Sequence, residues 1–538
     1  MTSSATWLGV CLASAAAYFI QRIVFKRSTP PLPPGPEPLP ILGNLYDLPT
    51  EKPCITYTEW SKKFGDIVHI HVFGQHIILI NSAKTAVEML DKKSVKYSDR
   101  PVLPLAGDLL GCKRSLPLLS YGDTFRETRK RFHRTIGTRA AVEEYSDIET
   151  IEIHRFLKRV LAKPEQLVAH IRLTIGAVVL RIAYGYQVKE GSDHLVNLAE
   201  EAVGIFLKAT APGAFLVDSI PICKYTLGML YAWELTFPCS EAREWKAVMD
   251  ELVDVPYNLV KSQVEAGVAP KSYTSVLLEG RVASLSEEEV LSIKWSAASF
   301  YGGGADTASE IMSVAAMHSM FLAMTLFPEV QKKAQAEIDA IVGLDRLPTL
   351  SDRQSLPYME ALVKEIHRWH VVSPLGVPHR TSEDDVHNGY YIPKGTIILA
   401  NLWSMLHDPH SFSAPMEFRP ERFLMIEGKQ PEQDPRTICF GFGRRICPGG
   451  CIFLELRPIT ILSVTLGLQL ADASVWLLTA MTLAVFDIKK AVEGGVEITP
   501  DVDPSSQGVR DVPKLTHSIL IATQNLSNAP SNLDLQRL

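Results

Sequence analysis

The stretch Phe440–Gly450, FGFGRRICPGG, restricts this chain more than any other. Gly441, Gly443, Gly449 and Gly450 permit backbone turns that a side chain would block, and Pro448 sets one more φ angle. No helix or strand runs through such a sequence. The surrounding fold must therefore form around a tight loop that presents Cys447 in one orientation. A thiolate at neutral pH needs nearby cations, N–H donors or a metal. Arg444 and Arg445 supply charge, and the glycines leave N–H groups free to approach the sulfur. Arg445 equally suits an anionic group on a bound ligand. Taken alone, the loop also suits a structural cysteine buried in a Gly-rich turn.

The other seven cysteines, at positions 11, 54, 112, 223, 239, 439 and 451, show no CxxC pair and no disulfide-framework spacing, which fits a reducing compartment. His407 and His410 stand three apart without a cysteine pair or second histidine pair, so no zinc site is indicated. A net charge of -6 leaves no basic field, and nucleic acid is excluded as a partner.

Residues 1–27 read as an N-terminal membrane anchor. An uncharged, largely apolar run from Trp7 to Ile20 precedes Arg22, Lys26 and Arg27, which places the body on the cytosolic side. A cleaved signal peptide is the alternative, but no positive segment precedes the run and no small-x-small site follows it. Residues 28–45 form a proline-rich hinge, stiff and extended. From 46 to 538 no second linker, repeat or charge block appears. Ile67–Ser82 alternates around Gly74 as a hairpin does, and short strands are expected around Tyr390–Ala400 and in the last fifty residues. Most of the rest has helical period. The expected fold class is mainly α with a minor β region, one large catalytic domain behind the anchor.

Four stretches add to the cysteine loop. Ser286 and Glu289 open a long apolar helix as a capping box. Gly302, Gly303 and Gly304 interrupt it at about 1 kcal/mol each relative to alanine, and Asp306 and Thr307 follow in apolar surroundings. A helix–Gly turn–helix hairpin accounts for the same stretch. Glu365 and Arg368 share a helix face at i,i+3, and Arg422 in the Phe418–Phe423 loop is placed to join them. Arg126, Arg129, Lys130 and Arg131 follow Phe125 on a short helix, as an anion clamp or as a solvated basic face.

In this order the stretches resemble the cytochrome P-450 family, the membrane-anchored haem-thiolate monooxygenases. The resemblance covers nearly the whole chain. Its most specific part is Phe440-x-x-Gly443-x-Arg445-x-Cys447-x-Gly449, the family's haem-binding signature. Tyr97–Pro101 and His407–Pro409 look most like fungal members, including those of secondary metabolism.

The resemblance implies haem b with Cys447 as axial thiolate ligand. It implies Arg445 at a haem propionate, with Arg129, His379 and Arg380 as candidates for the same duty. Phe125 stands where the family usually has tryptophan, so one indole N–H is missing there. Glu365, Arg368 and Arg422 would form a structural network behind the haem. Gly303 and Gly304 would open the helix over its distal face, where Asp306 and Thr307 would relay protons toward dioxygen. Ala308 stands where a second hydroxyl often follows. The implied reaction inserts one oxygen atom into a lipophilic small molecule. Electrons would come from NADPH through NADPH-cytochrome P-450 reductase, with cytochrome b5 as a further donor, at the endoplasmic reticulum membrane. Substrate contacts would come from Val102–Leu119, Ile205–Trp233, Ala298–Ala305, Val371–Val377 and Ser505–Val509. An isomerase or dehydratase needing no reductase is the alternative within the family.

One segment departs from the pattern. In the family a helix begins directly after the CPG triplet, whereas here Leu470–Ile488 carries that helix and Gly450–Gln469 intervenes. The intervening segment alternates neither as an amphipathic helix nor as a half-buried strand. It reads as a retained intron in the gene model, or as a surface hairpin insertion. Displacing the helix would loosen the ligand loop, expose apolar side chains and leave a haem-deficient product.

Overall fold

The computed structural model of the chain describes residues 30–211, 218, 239–302, 310–426, 428–448, 470–500 and 519–523. The expected anchor, Gly303–Thr307, Gly449 and the segment 450–469 lie outside them.

The alternating stretch around Gly74 forms the hairpin β1 (Ile67–Val72) and β2 (Gln75–Ile80), with Gly74 supplying φ +87 at the turn. In antiparallel register Ile67 faces Ile80 and His71 faces His76. Two strands from far along the chain complete this sheet. They are β3 (His379–Arg380) and β4 (Ile397–Ala400), in the order β1-β2-β4-β3 with β2 and β4 parallel. The proline-rich stretch is extended as expected, but it lies on the body rather than standing off it. The Pro34 carbonyl accepts from His69 N–H at 2.9 Å and that of Pro31 from Tyr391 at 2.8 Å. Prolines offer acceptors without donors, which suits a strand edge that still has N–H groups to satisfy.

The rest of the described chain is mainly helical. The long helices are α1 (Pro53–Phe64), α2 (Asp123–Ile136), α3 (Ser146–Ala162), α4 (Leu167–Tyr184), α5 (His194–Thr210), α6 (Cys239–Glu265), α7 (Glu287–Gly302), α8 (Glu310–Leu326), α9 (Pro328–Ile341), α10 (Pro357–Trp369) and α11 (Leu470–Val485). Their starts follow local chemistry. Ser286 and Glu289 exchange the two capping bonds predicted for α7, at 3.0 and 3.3 Å. Pro328 and Pro357 occupy first-turn positions. The start of α10 also has a cap from outside, because Glu337 of α9 accepts the N–H groups of Tyr358 and Met359. Helix α4 with its preceding turn is long and apolar enough to span a membrane, but 78% of that stretch is buried inside the fold, so it is a core helix. Around it one cluster joins α4 to α5, α6 and α7, and a second joins α3, α8, α9, α10 and α11. A third cluster links the sheet to the loop that ends at Cys447.

Helix α11 packs into the core. Trp476 is fully buried, and most of the helix is covered by neighbours. Asp472 in its first turn takes Arg353 Nη2 at 2.5 Å and Arg436 Nη1 at 3.2 Å, and both arginines also reach Glu360. Burial opposes the charge on Asp472, but the two guanidiniums hold its carboxyl well below the usual range. These contacts belong to the helix itself. The segment before it therefore need not be short for the helix to find its seat.

Glu149 of α3 meets the same helix with less compensation. It is fully buried; the Ser474 hydroxyl donates to one carboxyl oxygen and the other has no partner among the described residues. Burial pushes this carboxyl up from 4.5 to about 7. A raised folded-state value means that stability is present below the unfolded value and is lost as pH rises toward 7. Glu149→Gln is therefore expected to match the parent at pH 4 and to be more stable at pH 8, by on the order of 1–3 kcal/mol. Denaturant unfolding at both pH values reads this, and equal differences at the two would refute it.

Candidate active site

Cys447 lies at the edge of the third core cluster, half-buried. Phe440 and Phe442 sink into that cluster and carry the loop with them. Phe440 tilts against His367, ring centroids 5.7 Å apart, and its carbonyl accepts the Cys447 N–H at 2.9 Å. Gly443 has φ +62, and a Cβ there would run into the Leu90 carbonyl, so only glycine fits. Its N–H donates to Asp91 Oδ1. Arg129 donates to the Ile446 carbonyl at 2.8 Å, one residue before the cysteine. The loop is thus held from the sheet side, from helix α2 and from the turn around Leu90.

A set of buried cations surrounds this loop. Arg445 spends its donors on the carbonyls of Ser98 (2.6 Å) and Leu119 (2.7 Å). Its guanidinium lies 3.9 Å over the Phe125 ring, a cation–π contact where an indole donor was missed. Arg100 donates to the carbonyls of Val377 and Pro378, while its buried Nε has no partner among the described residues. Burial lowers Arg129 to about 10, opposed by the Cys447 sulfur. It lowers Arg445 to about 10 as well, opposed by Asp99. Arg100 falls well below its ordinary value, through burial and then Arg445. Burial and Arg100 take His379 down to about 3, so this imidazole is neutral at physiological pH. Among the described residues the carboxylate acting on both Arg100 and Arg445 is Asp99 alone. Three buried guanidiniums, with one carboxylate acting on two of them, make a site suited to additional negative charge. The carboxylates of a haem are groups that fit such a site.

Strand β3 divides two predicted residues. His379 faces the cation set and bonds the Tyr97 carbonyl at 2.8 Å. The Arg380 guanidinium lies on the other side against Gly395, as strand alternation requires. The basic run on α2 also separates. Arg129 turns inward, Arg131 reaches Ser292 Oγ at 3.2 Å, and Arg126 and Lys130 are exposed. Arg100 was missed in the sequence; the one local signal was Pro101, which favours extended backbone at the residue before it.

Behind the loop, Glu365, Arg368 and Arg422 are all fully buried. Arg368 donates to both oxygens of Glu365, at 2.8 and 2.9 Å. Arg422 Nε reaches the carboxylate at 3.2 Å, and the Arg419 N–H at 2.8 Å completes it. The remaining guanidinium donors go to carbonyls of the 406–417 loop and to Glu432. His407 stacks on Trp403 and His410 is exposed; no metal-binding group occurs among the described residues.

The 102–119 loop ties this region to the long helix. Its Leu116 and Leu119 carbonyls receive Arg445, its Leu116 N–H donates to Ser299 Oγ at 2.9 Å, and Arg114 pairs with Glu288 at 2.6 Å. The predicted proton relay at Asp306 and Thr307 lies beyond the described end of that helix.

Comparison with known proteins matches the geometry. The sequence model of the cytochrome P-450 family aligns with residues 33–452. That match ends just past the ligand loop, where the intervening segment starts. Cytochrome P-450 monooxygenase 208 of Postia placenta is 47% identical over 93% of both chains. Monooxygenase claR of Ampulloclitocybe clavipes is 45% identical over 94% of this chain and 88% of its own. Monooxygenase ppsD of Aspergillus oryzae is 41% identical over 88% and 86%. Members of this family use haem b with a cysteine thiolate as axial ligand. With a buried cation set awaiting carboxylates beside a rigid cysteine loop, and with fungal relatives along nearly its whole length, the chain belongs to the cytochrome P-450 family of haem-thiolate monooxygenases.

Proposed function

We propose that the protein inserts one oxygen atom of dioxygen into a lipophilic small organic substrate and reduces the other to water, with two electrons drawn from NADPH through a separate reductase. Cys447 is the sulfur ligand of the haem. Arg100, Arg129 and Arg445 would receive its propionates; the one N–H of the neutral His379 goes to the Tyr97 carbonyl and leaves this residue no donor for them. The haem supplies the oxygen activation, which a thiolate ligand favours. The protein's own residues hold that group, keep water from its proximal side and, at Asp306 and Thr307, move protons toward the distal face. The observation that carries this reading is the buried surplus of guanidinium charge around the Cys447 loop.

Delivery of electrons is read from the exposed side of α2, the helix whose Arg129 holds the cysteine loop. Arg126, Lys130 and Arg134 are exposed along one side of α2, four residues apart. Arg444 is occupied instead with Tyr121, donating to its hydroxyl and stacking 5.2 Å over its ring. The α2 stripe suits an acidic partner such as NADPH-cytochrome P-450 reductase or cytochrome b5. Residues 1–27 anchor the chain to the endoplasmic reticulum membrane, with the catalytic domain cytosolic. Residues 450–469 are translated non-coding sequence, which spliced-transcript sequencing reads directly.

The test is the reduced, carbon monoxide-bound absorption spectrum of the purified chain with and without residues 450–469. The shortened form is expected to give the red-shifted band of thiolate-bound haem at full haem occupancy. Substrate turnover is expected to require NADPH and reductase. A shortened form without that band, or turnover independent of NADPH, would reject the monooxygenase reading; the second result would favour an isomerase or dehydratase.

A further inference from the structure

We propose that Asp91 is a positioning residue for the sulfur ligand, its carboxylate holding the Gly443 N–H and so setting the turn that delivers Cys447. This rests on the reading of Cys447 as the haem ligand. Val87–Lys92 is a π-helical turn, a rare conformation concentrated at functional sites. It brings the Leu90 carbonyl so close to Gly443 that no side chain fits between them, and it aims the next residue, Asp91, at the Gly443 N–H. Gly443 opens the short turn Gly443–Arg445. That turn closes with Ile446 N–H on the Gly443 carbonyl at 3.2 Å, and Cys447 follows. A shift at Gly443 is therefore carried into the sulfur position within four residues.

The carboxylate has no competing task. Among the described residues Asp91 makes no ion pair, and the nearby Lys93 and Lys96 are committed to Asp385 at 2.6 and 3.2 Å. Burial pushes the Asp91 carboxyl up to about 6, and the Gly443 N–H opposes the rise. A half-buried carboxylate without a cation costs stability. What it receives in return is one N–H at the base of the ligand loop. In its sequence context, LDKKS, it looks like part of a solvated charge run.

Asp91→Ala and Asp91→Asn separate this role from mere packing. Asparagine keeps an acceptor oxygen at the same place. In the haem-loaded protein Asp91→Ala is expected to release haem about ten-fold faster or more. Much of its reduced carbonyl complex should move from the red-shifted band to the band of an unligated or protonated sulfur. Asp91→Asn is expected to keep the parent band and to stay within about two-fold of the parent release rate. An Asp91→Ala protein with the parent's band and haem retention overturns the proposal, and so does an Asp91→Asn protein as impaired as Asp91→Ala. Should Asp91→Ala not fold, hydrogen exchange in the parent decides. The Gly443 amide is expected to be protected, and exchange at the rate of an open loop defeats the idea. A parent band that disappears in Cys447→Ser keeps the haem-thiolate reading intact whatever Asp91 does; a parent without the band removes both.

Discussion

Cys447→Ser is expected to lose the red-shifted carbonyl band completely and to lower substrate oxygenation to background, with the fold retained. A hydroxyl holds its proton far above neutral pH, so the surrounding arginines cannot turn it into an anionic ligand as they can a thiol. Serine is smaller than cysteine by little, and several of the bonds that shape the loop are made by the backbone and by other side chains. They run from the backbone of residue 447 to Phe440, from Arg129 to Ile446, and from Gly443 to Asp91. The thermal midpoint of the haem-free protein should therefore stay close to that of the haem-free parent. This contrast isolates ligation from folding. Oxygenation that continues unchanged in Cys447→Ser would remove the sulfur from the chemistry altogether.

Glu365→Ala is expected to lose about 3–5 kcal/mol of stability, enough to leave little folded protein. The carboxylate is the common acceptor for Arg368, Arg422 and the Arg419 N–H, and both guanidiniums are sealed from water. Removing it strands two buried cations whose other donors are tied to carbonyls and Glu432. Arg368→Lys should fail nearly as badly, because one ammonium cannot span Glu365 and the Leu406, Pro415 and Glu417 carbonyls together. Denaturant unfolding and the yield of soluble haem protein measure both. A Glu365→Ala variant with the parent's midpoint would mean that the network is not a structural keystone.

How much of this site was readable before the fold was known differs from residue to residue. The glycine spacing around Cys447 carried its meaning locally, since a positive φ at Gly443 is a property of one residue and its immediate clash. The Glu365–Arg368 pair was legible because i,i+3 spacing on a helix guarantees a shared face. Arg422 was placed by its loop, and the structure brings it to the same carboxylate. His379 and Arg380 could not be ranked in sequence. Only the strand they occupy turns one toward the cation set and the other away. Arg100, Asp91, Glu149 and Asp472 look like ordinary charged residues in their local sequence, yet each is withdrawn from water by segments that come from elsewhere in the chain.

From the sequence by itself came the constrained cysteine loop, the helical body with its small sheet, the capping of the long helix and the pair behind the site. All of these depend on spacing, φ preferences and periodicity within a few residues. Tertiary structure alone decided which charges lose their solvent, that helix α11 packs into the core through Trp476 and Asp472, and that the turn at Leu90–Asp91 grips the base of the cysteine loop. The reason is that desolvation and partner choice depend on what distant segments bring into contact, and no local pattern of residues records that.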